Sequence, residues 1–428
     1  MFQPLGVFID QFLRGFRSTR EVLALKSGLE LLRKGKVAEA IKEFDVAIKK
    51  DPRNGTAYTL RAVANGAIGK YPASLADANR ALELNPNSAT ASAARGKAMF
   101  QLQMDRVAAL AELDKAIALD SASAYQFVNR GDVRRQLMDW EGAIADFSKA
   151  VALAADSVTI FYERGRAYRM QRKLVKAAED FNQVIELNPS EPQLALAFAG
   201  LGDVLRLAGD QKLGEANIQR GLEINREFVA IYFYQLGALF GRLEQFPTAL
   251  NYYNEAERYG FQSVWLYFNR GTIRLKQDEY VLALTDLTEA IRLNPQNNKS
   301  RAHRALTFLA NNDYANAISD SNQVLQAETD SETLGLAYYI RGMSRMQLDD
   351  DSLLSHAISD FSAAIQHGNS SANVYYSRGY CKLNTRDAVG ALEDCNKAIE
   401  LNPQDACAYY YRAKSLSLYT EFRPVDCR

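Results

Sequence analysis

Side chains that could carry out acid–base, metal or thiol chemistry are few in this 428-residue chain and lie far apart. The three histidines, His303, His356 and His367, do not cluster with cysteines or carboxylates at the spacing of a metal site. No phosphate-binding loop, nucleophile elbow or zinc-protease motif occurs. The sequence therefore predicts no catalytic centre, no metal site and no cofactor, and we do not expect the chain to be an enzyme.

The cysteines indicate a reducing environment. All four lie in the last fifth of the chain and form no C-x-x-C pair, at Cys381, Cys395, Cys407 and Cys427. A disulfide framework would be unusual in a long chain with its own apolar core. We expect reduced thiols in an intracellular, cytoplasmic protein, with Cys381 and Cys395 buried as small apolar side chains.

One pair of charged residue types does recur at a fixed spacing. An arginine is followed by an aspartate 16 residues later in six places and 19 residues later in a seventh. The pairs are Arg61–Asp77, Arg130–Asp146, Arg164–Asp180, Arg270–Asp286, Arg304–Asp320, Arg341–Asp360 and Arg378–Asp394. Where Leu201 and Leu236 replace the arginine, Asn217 and Tyr252 replace the aspartate. Joint gain and loss predicts a structural ion pair, since the guanidinium fork matches a carboxylate with two hydrogen bonds.

These pairs lie in a block of about 34 residues that recurs from Glu21 almost to the end of the chain. One column of the block holds only glycine or alanine, at Gly28, Ala62, Gly96, Gly131, Gly165, Gly202, Gly237, Gly271, Ala305, Gly342, Gly379 and Ala413. A fixed period of this length predicts a stack of identical units that grows without enlarging a single core. We call this column the small column.

The pattern of each block predicts two helices. Apolar residues recur three and four positions apart on both sides of a turn, and a proline such as Pro189 ends the second helix. The small column on the first helix and an alanine such as Ala177 on the second allow the two helices to approach closely.

This pattern resembles the tetratricopeptide repeat family, which has a 34-residue period and an aromatic, Gly, Tyr, Ala, Phe, Pro order. The resemblance implies an all-α, right-handed α–α superhelix. It divides the chain into eleven hairpins at 21–405, a capping helix at 406–420 and a flexible tail at 421–428. Three sites carry extra residues, near Pro192 and Ser331, between repeats, and at 349–355, inside a loop. The implied function is a protein-interaction scaffold without catalytic activity.

In this family the first helices line a concave groove, which implies where a protein or peptide would bind. An aromatic column lies three residues before the small column, at Tyr162, Tyr234, Phe268, Tyr339, Tyr376 and Tyr410. These rings either anchor a partner or cover the seam between neighbouring first helices. Arg135, Arg166, Arg169 and Arg206 fall on adjacent groove columns, where they either meet acidic partner residues or belong to a solvated mixed-charge face.

Three functions stay open at this point: an adaptor, a co-chaperone that binds C-terminal or unfolded segments, and a regulatory subunit of a separate enzyme. A chaperone-tail clamp is matched only in part, by Asn269, Lys299 and His303, because Tyr234 and Ala238 replace its leading Lys and Asn. Lys plus Arg and Asp plus Glu both number 51, so no nucleic-acid partner is expected.

The first twenty residues form an amphipathic pattern that includes Phe8, Phe12 and Phe16. They predict a helix that caps the first hairpin, and membrane contact is expected only through this segment. No run of 18 apolar residues occurs, so no helix is expected to span a membrane.

Overall fold

The computed structural model describes residues 22–327, 330–348 and 350–421. Within those residues the secondary structure is helical throughout, and 22 α-helical segments follow one another along the chain. They are α1 Val22–Arg33, α2 Val37–Lys50, α3 Gly55–Ala67, α4 Tyr71–Leu84, α5 Ala89–Gln101, α6 Arg106–Leu119, α7 Ala124–Gln136, α8 Trp140–Leu153, α9 Val158–Met170, α10 Leu174–Glu186, α11 Glu191–Leu207, α12 Gln211–Arg242, α13 Phe246–Arg258, α14 Val264–Lys276, α15 Tyr280–Leu293, α16 Asn298–Ala310, α17 Tyr314–Leu325, α18 Ser331–Gln347, α19 Leu354–Gln366, α20 Ala372–Asn384, α21 Ala388–Leu401 and α22 Ala406–Glu421.

The segment α12 contains two helices. Asn225 has non-helical backbone angles (φ −158°, ψ 99°), and its side-chain Oδ1 accepts a hydrogen bond from the backbone N–H of Phe228 at 3.3 Å. This is the geometry of an N-cap residue, so a new helix starts after Asn225. Counted this way, the described residues form eleven hairpins and a terminal first helix, as the repeat predicted.

The chain divides into two compact units, Met1–Tyr232 and Phe233–Arg428. The boundary falls inside α12, beyond the break at Asn225. Unit 1 contains hairpins 1 to 6 and unit 2 contains hairpins 8 to 11, with most of hairpin 7 and the terminal helix α22. The predicted N-terminal helix at 1–20 and the tail beyond Glu421 lie outside the described residues.

Tight turns join the two helices of most hairpins, and one residue of the turn has positive φ. Glycine occupies this position at Gly35, Gly69 and Gly209. Other residue types occupy it at Gln103, Met138, Arg172, Glu244, Asp278, Asn312 and Arg386, with φ between 55° and 66°. The left-handed conformation is costly for residues with a Cβ atom, so these turns are held by the helices on either side.

The extra residues near Pro192 and Ser331 do not lie between repeats as predicted. They lengthen first helices instead, because α11 and α18 are 17 residues long whereas α9 and α20 are 13. Pro192 fits inside α11 because it lies in the first turn, where its missing N–H has no helical partner to lose. The third insertion does lengthen a loop, which contains a 3₁₀ turn at Asp351–Leu353.

The small column matches the size of the residue that faces it. A Cβ atom on Gly131 or Gly342 would lie 2.9 Å from the Cε1 atom of Phe147 or Phe361, sixteen and nineteen residues later on the second helix. The two buried alanines of the column, Ala62 and Ala305, are followed sixteen residues later by Ala78 and Ser321. At these four hairpins glycine accompanies a large partner, and alanine accompanies a small one.

The predicted arginine–aspartate pairs are confirmed in all seven hairpins. In hairpin 8, Arg270 donates Nε to Asp286 at 3.0 Å and Nη2 to the second carboxylate oxygen at 2.8 Å. The same bonds join the other six pairs, Arg61–Asp77, Arg130–Asp146, Arg164–Asp180, Arg304–Asp320, Arg341–Asp360 and Arg378–Asp394. Each aspartate is buried, so the pair joins the two helices of a hairpin across a desolvated contact.

Each of these arginines also contacts the preceding hairpin within its unit. The remaining nitrogen of Arg61, Nη1, donates to Asp45 at 2.6 Å, and Nη1 of Arg378 donates to Ser362 at 3.0 Å. Equivalent acceptors are Asp114, Ser148, Asn254, Thr288 and Asn322. One side chain thus connects three helices and ties each hairpin to its predecessor.

Hairpin 3 shows a variant that the sequence pattern did not reveal. Arg95 precedes Gly96, but Ala111 replaces the aspartate sixteen residues later. Glu112, the next residue, supplies the carboxylate instead, with Nη2 of Arg95 and Oε1 of Glu112 2.6 Å apart. The longer glutamate side chain reaches the guanidinium from one position further along the helix.

Candidate functional site

Neighbouring first helices contact one another along one face, and this face contains every predicted binding residue. It consists of four positions of each first helix. Two of them lie three and two residues before the small column, and the other two lie one and four residues after it, so that all four share one side of the helix. We call it the first-helix face. Its chemistry differs between the two units, and each is described separately.

In unit 1 the first-helix face carries charges that pair between successive hairpins. Lys97 of hairpin 3 lies 3.4 Å from Asp132 of hairpin 4, and Arg135 of hairpin 4 lies 3.1 Å from Glu163 of hairpin 5. Arg169 of hairpin 5 donates Nε to Asp203 of hairpin 6 at 2.7 Å. We call this series the charge ladder.

Burial and pairing together set the ionisation of the charge ladder. Burial by itself would raise the pKa of Asp132, but Lys97 and Arg135 hold that pKa below its usual range. Burial would likewise lower the pKa of Arg135, but Glu163 and Asp132 raise it. Arg169 and Asp203 are more deeply buried, with side chains 3% and 2% exposed. Pairing therefore favours the charged forms of Asp132 and Arg135, and the contacts of the ladder are largely removed from water.

The four predicted groove arginines are all engaged within unit 1. Besides its contact with Glu163, Arg135 donates to Asp132 at 2.8 Å, and Arg166 lies 3.3 Å from Glu163. Arg206 lies 3.7 Å from Asp203. Carboxylates of the chain itself thus contact all four arginines, and a role of these arginines in binding a partner stays a prediction.

The one predicted aromatic residue of unit 1 is also part of its core. Tyr162 is 2% exposed, its ring meets Phe181 edge-on at 5.8 Å, and Arg166 lies over it at 5.7 Å. Burial raises the pKa of its hydroxyl. Tyr162 and Arg169 are therefore sealed inside the stack and offer a partner no surface.

In unit 2 the same positions carry rings and aliphatic side chains. Tyr234 stacks on Phe261 at 4.7 Å and tilts against Tyr253 at 5.9 Å, and Tyr339 lies 6.4 Å from Phe361. Burial raises the pKa of both predicted tyrosines, Tyr234 and Tyr339. Both are half-buried, so the rings cover the seam with one edge and face solvent with the other.

At hairpin 8 the first-helix face extends by one helical turn to Trp265, six positions before the small column. Trp265 is 53% exposed and meets Phe268, also half-buried, at 6.0 Å with the rings perpendicular. On its other side Phe268 meets His303 of hairpin 9 at 4.8 Å. Burial lowers the pKa of His303, and its Nδ1 contacts the carbonyl oxygen of Lys299 at 2.9 Å. His303 is therefore a neutral side chain that supports Phe268.

At the end of unit 2 the rings rest on α22. Tyr411 lies 5.6 Å from Tyr376 and 5.2 Å from Tyr380, so α22 covers the face of hairpin 11. Tyr410 is 54% exposed and has Lys414 over its ring at 4.9 Å. Burial raises the pKa of Tyr376. Of the predicted aromatic column, Tyr410 is thus the most open.

The sequence interpretation missed two features of the site. It did not include Trp265, although this residue lies one helical turn before Phe268, and that spacing was the available signal. It also missed the second cation that contacts the buried aspartates from four residues after the recurring arginine. Arg134, Arg274, Arg345 and Lys382 occupy this position.

Other kinds of site are not visible in the described residues. Within 22–327, 330–348 and 350–421, no three His, Cys, Asp or Glu side chains come together as a group that could hold a metal ion. No helix in that part of the chain is both long and apolar enough to cross a membrane. Cys381, Cys395 and Cys407 are free thiols, of which the first two are buried as predicted.

Comparison with known proteins identifies the repeat directly. A family model described as a tetratricopeptide repeat matches residues 25–66, 128–192 and 268–332, and a second model of that description matches 372–405. The chain is 27% identical over 142 residues to a TPR repeat-containing protein of Methanocaldococcus jannaschii, a match covering 30% of this chain and 23% of the relative. It is 32% identical over 94 residues to Hsp70-Hsp90 organizing protein 1 of Glycine max, covering 22% of this chain and 15% of the relative.

Among solved structures, one chain of the APC/C hetero-tetramer Cut9-Hcn1 aligns with this chain. The alignment covers 97% of this chain and 99% of that chain, with a TM-score of 0.40 and 11% identity. The matched segments span less than a quarter of the length of the two curated relatives. The family models match segments in both units, and every described hairpin shows the helix pair that the repeat predicts. This chain therefore belongs to the tetratricopeptide repeat family, whose members generally mediate protein–protein interactions.

Proposed function

We propose that this chain is a non-catalytic adaptor or scaffold that binds an apolar peptide or helix of a partner protein on the first-helix face of unit 2. The observation that carries the proposal is Trp265, a large ring left 53% exposed beside the half-buried Phe268. Tryptophan, tyrosine and arginine are enriched among the residues that dominate binding energy at protein interfaces.

The neighbouring positions of hairpins 9 to 11 support an apolar partner. They carry Leu306, Leu309, Met343, Met346, Tyr380 and Leu383, which are partly buried. Methionine side chains adapt to partners of different shape, and tyrosines offer area with a polar tip. The charge ladder of unit 1 has no comparable surface, because its ions already satisfy one another.

The co-chaperone alternative has one specific observation in its favour, the similarity to an Hsp70-Hsp90 organizing protein. The site chemistry weighs against a carboxylate clamp. Of the residues that match in part, His303 supports Phe268 and donates its Nδ1–H to the carbonyl oxygen of Lys299, and burial lowers its pKa. A neutral imidazole supplies no charge to a carboxylate, so an apolar segment fits the surface better.

Capture of partners by variants of one hairpin tests the proposal. The double variant Trp265→Ala/Phe268→Ala removes the open rings of α14, and Val281→Ala is the matched control, because Val281 is 73% exposed on the second helix of that hairpin. Each anchor contributes about 1–2 kcal/mol at a buried interface, so the double variant should lose the dominant partner in pull-down with mass spectrometry.

The control should capture the same partner as the unaltered chain, and circular dichroism should show equal helix content in all three proteins. Full capture by the double variant would contradict the proposal. The identity of the prey separates the alternatives: a chaperone tail favours the co-chaperone, one folded enzyme favours the regulatory subunit, and several assembly subunits favour the scaffold.

A further inference from the structure

The imidazole of His303 has one ring nitrogen engaged and one without a protein partner. A carbonyl oxygen can only accept, so the contact of Nδ1 with the carbonyl oxygen of Lys299 at 2.9 Å requires the proton to be on Nδ1. In a neutral ring this tautomer leaves Nε2 as an acceptor. Among the described residues no donor bonds to Nε2, and Nε2 is not one of their fully buried polar atoms. His303 therefore presents an oriented acceptor that a partner can reach.

This acceptor lies beside the rings of α14. The ring centroids of Phe268 and His303 are 4.8 Å apart, and those of Trp265 and Phe268 are 6.0 Å apart. The hydroxyl of Thr272, on the same face of α14, does not serve as the donor, because it donates to the carbonyl oxygen of Phe268 at 2.8 Å. A partner side chain that packs against Phe268 therefore lies next to an acceptor for which that face supplies no donor.

The surroundings of His303 favour the neutral ring and select the kind of donor. Burial is the largest influence and lowers the pKa of His303. The hydrogen bond to the Lys299 carbonyl and the charge of Glu332 on α18 raise that pKa, the charge of Lys299 lowers it, and Phe268 on α14 carries no charge. A cationic donor would be desolvated at the same place, and a carboxylate would meet the lone pair of Nε2. The site therefore favours a neutral donor.

We propose that the partner segment bound on the first-helix face of unit 2 carries a neutral hydrogen-bond donor, a hydroxyl or an indole N–H, beside its apolar anchor, and that this donor binds Nε2 of His303. The anchor packs against Trp265 and Phe268, and the donor distinguishes this segment from other apolar segments. The inference rests on the function proposed above. It gives His303 a role in specificity in addition to its support of Phe268.

A random peptide library displayed on phage supplies probes while the natural partner is unidentified. Selection on the full 428-residue chain, followed by removal of peptides that also bind the Trp265→Ala/Phe268→Ala chain, isolates peptides that need the open rings. We expect these peptides to share an apolar residue and, at a fixed spacing from it, a serine, threonine, tyrosine or tryptophan. The donor is then removed from synthetic peptides by exchange for alanine, valine, phenylalanine or 1-methyltryptophan, respectively.

Variants of His303 combine with the peptide pairs in a double-mutant cycle, measured by fluorescence anisotropy. Loss of the donor should weaken binding to the unaltered chain about three- to tenfold, the range of one hydrogen bond. His303→Phe keeps a ring against Phe268 without an acceptor, so it should bind the peptides with and without the donor equally. His303→Gln places an amide oxygen near the position of Nε2 and should retain the preference. Equal helix content by circular dichroism is the folding control.

The dependence of binding on pH is a second readout. For a peptide without groups that titrate between about pH 5 and 8, the affinity for the unaltered chain should be constant from about pH 8 to neutral pH. It should fall below about pH 6.5, because protonation of His303 places a hydrogen on Nε2. The chains with His303→Phe and His303→Gln should lack this fall. If His303→Phe fails the folding control, His303→Gln and this pH dependence decide the result.

Two groups of results would overturn the inference. Equal affinity of the unaltered chain for peptides with and without the donor would overturn it and leave the proposed function intact. An undiminished donor preference in a folded His303→Phe chain, or a carboxylate as the shared polar group of the peptides, would do the same. Recovery of no peptide that depends on Trp265 and Phe268 would overturn the proposed function, and the inference with it.

Discussion

Hairpins 3 to 6 and hairpins 8 to 11 use the same first-helix positions for different chemistry. At the position one after the small column, unit 1 has Lys97, Asp132, Arg166 and Asp203, whereas unit 2 has Thr272, Leu306, Met343 and Tyr380. Lys97, Asp132 and Asp203 pair with ions of a neighbouring hairpin, and Arg166 contacts Glu163 of its own helix. The rings of unit 2 stay partly open to solvent. Two units built from the same kind of hairpin thus have one face whose ions contact one another and one whose rings are partly exposed.

The difference teaches that column position alone does not identify a binding surface. An ion on the first-helix face is available to a partner only if the adjacent hairpin lacks a complementary ion. Buried ions require partners because desolvation is costly, so the charge ladder specifies how successive hairpins fit together. An aromatic ring carries no charge, so a ring half-covered by a neighbour leaves no buried ion unpaired.

The largest expected effect comes from removing a carboxylate of the charge ladder. Asp203→Ala takes away the buried partner of Arg169 and should lower the free energy of unfolding of unit 1 by about 3–5 kcal/mol. Urea denaturation followed by circular dichroism measures this. Glu215→Ala is the control, because Glu215 is 49% exposed and lies 3.8 Å from Arg206, and its effect should stay below about 0.5 kcal/mol. Similar losses for the two variants would show that the ladder is not a structural element.

A smaller effect is expected from removing α22. This change tests how far hairpin 11 of unit 2 depends on the helix that follows it for its shielding from solvent. Burial raises the pKa of Cys381 to about 12 and that of Cys395 to about 11, so both thiols are protonated and shielded at about pH 8. In a Cys427→Ser background the exposed Cys407 should react rapidly with a thiol reagent, and the two buried cysteines should react slowly.

A chain cut after Gln404 loses Tyr411 and Ala408, so Cys395 should react at least about tenfold faster and the protein should aggregate more readily. A cut after Thr420 should leave both properties unchanged. If the shorter chain protects Cys395 equally well, α22 does not cap hairpin 11, and the contacts of Tyr376 with α22 are incidental.

The smallest effect is expected from substitutions in the turns within hairpins. Such substitutions test whether the two units differ only on the first-helix face. Arg172 in unit 1 and Glu244 in unit 2 have φ of 56° and 57°. Replacing either by glycine should raise the free energy of unfolding by about 0.5 kcal/mol, because relief of left-handed strain slightly exceeds the entropy cost of glycine. Gly69→Ala should do the opposite despite the open space around it. Unequal gains at the two positions would mean that the hairpin frameworks themselves differ.

The sequence predicted the hairpins and the arginine–aspartate pairs because both leave a periodic signal. The spacing of 16 residues is fixed by the geometry of one hairpin, so joint gain and loss of Arg and Asp is visible without a structure. The pairing of Arg135 with Glu163 is not periodic, since it depends on which residues happen to face each other between two particular hairpins. The burial of Tyr162 follows from such local contacts too, which is why the column position misidentified it.

The insertion near Pro192 shows a second limit. Three extra residues before a first helix can lie in a linker or add a turn to the helix, and the repeat period is the same in both cases. Proline is common both in linkers and in the first turn of a helix, so Pro192 did not distinguish a longer linker from a longer helix. Whether the extra residues join the helix depends on tertiary contacts of α11 with its neighbours, and the sequence of one segment does not contain that information.

Site-specific photo-crosslinking tests the contrast between the two faces most directly. A benzoylphenylalanine placed at Trp265 in unit 2 or at Arg166 in unit 1 reports which first-helix face touches a partner, even when the partner has not been identified. We predict a discrete adduct from position 265 that the Phe268→Ala change reduces, and no discrete adduct from position 166. A specific adduct from position 166 together with none from position 265 would contradict the assignment of binding to unit 2.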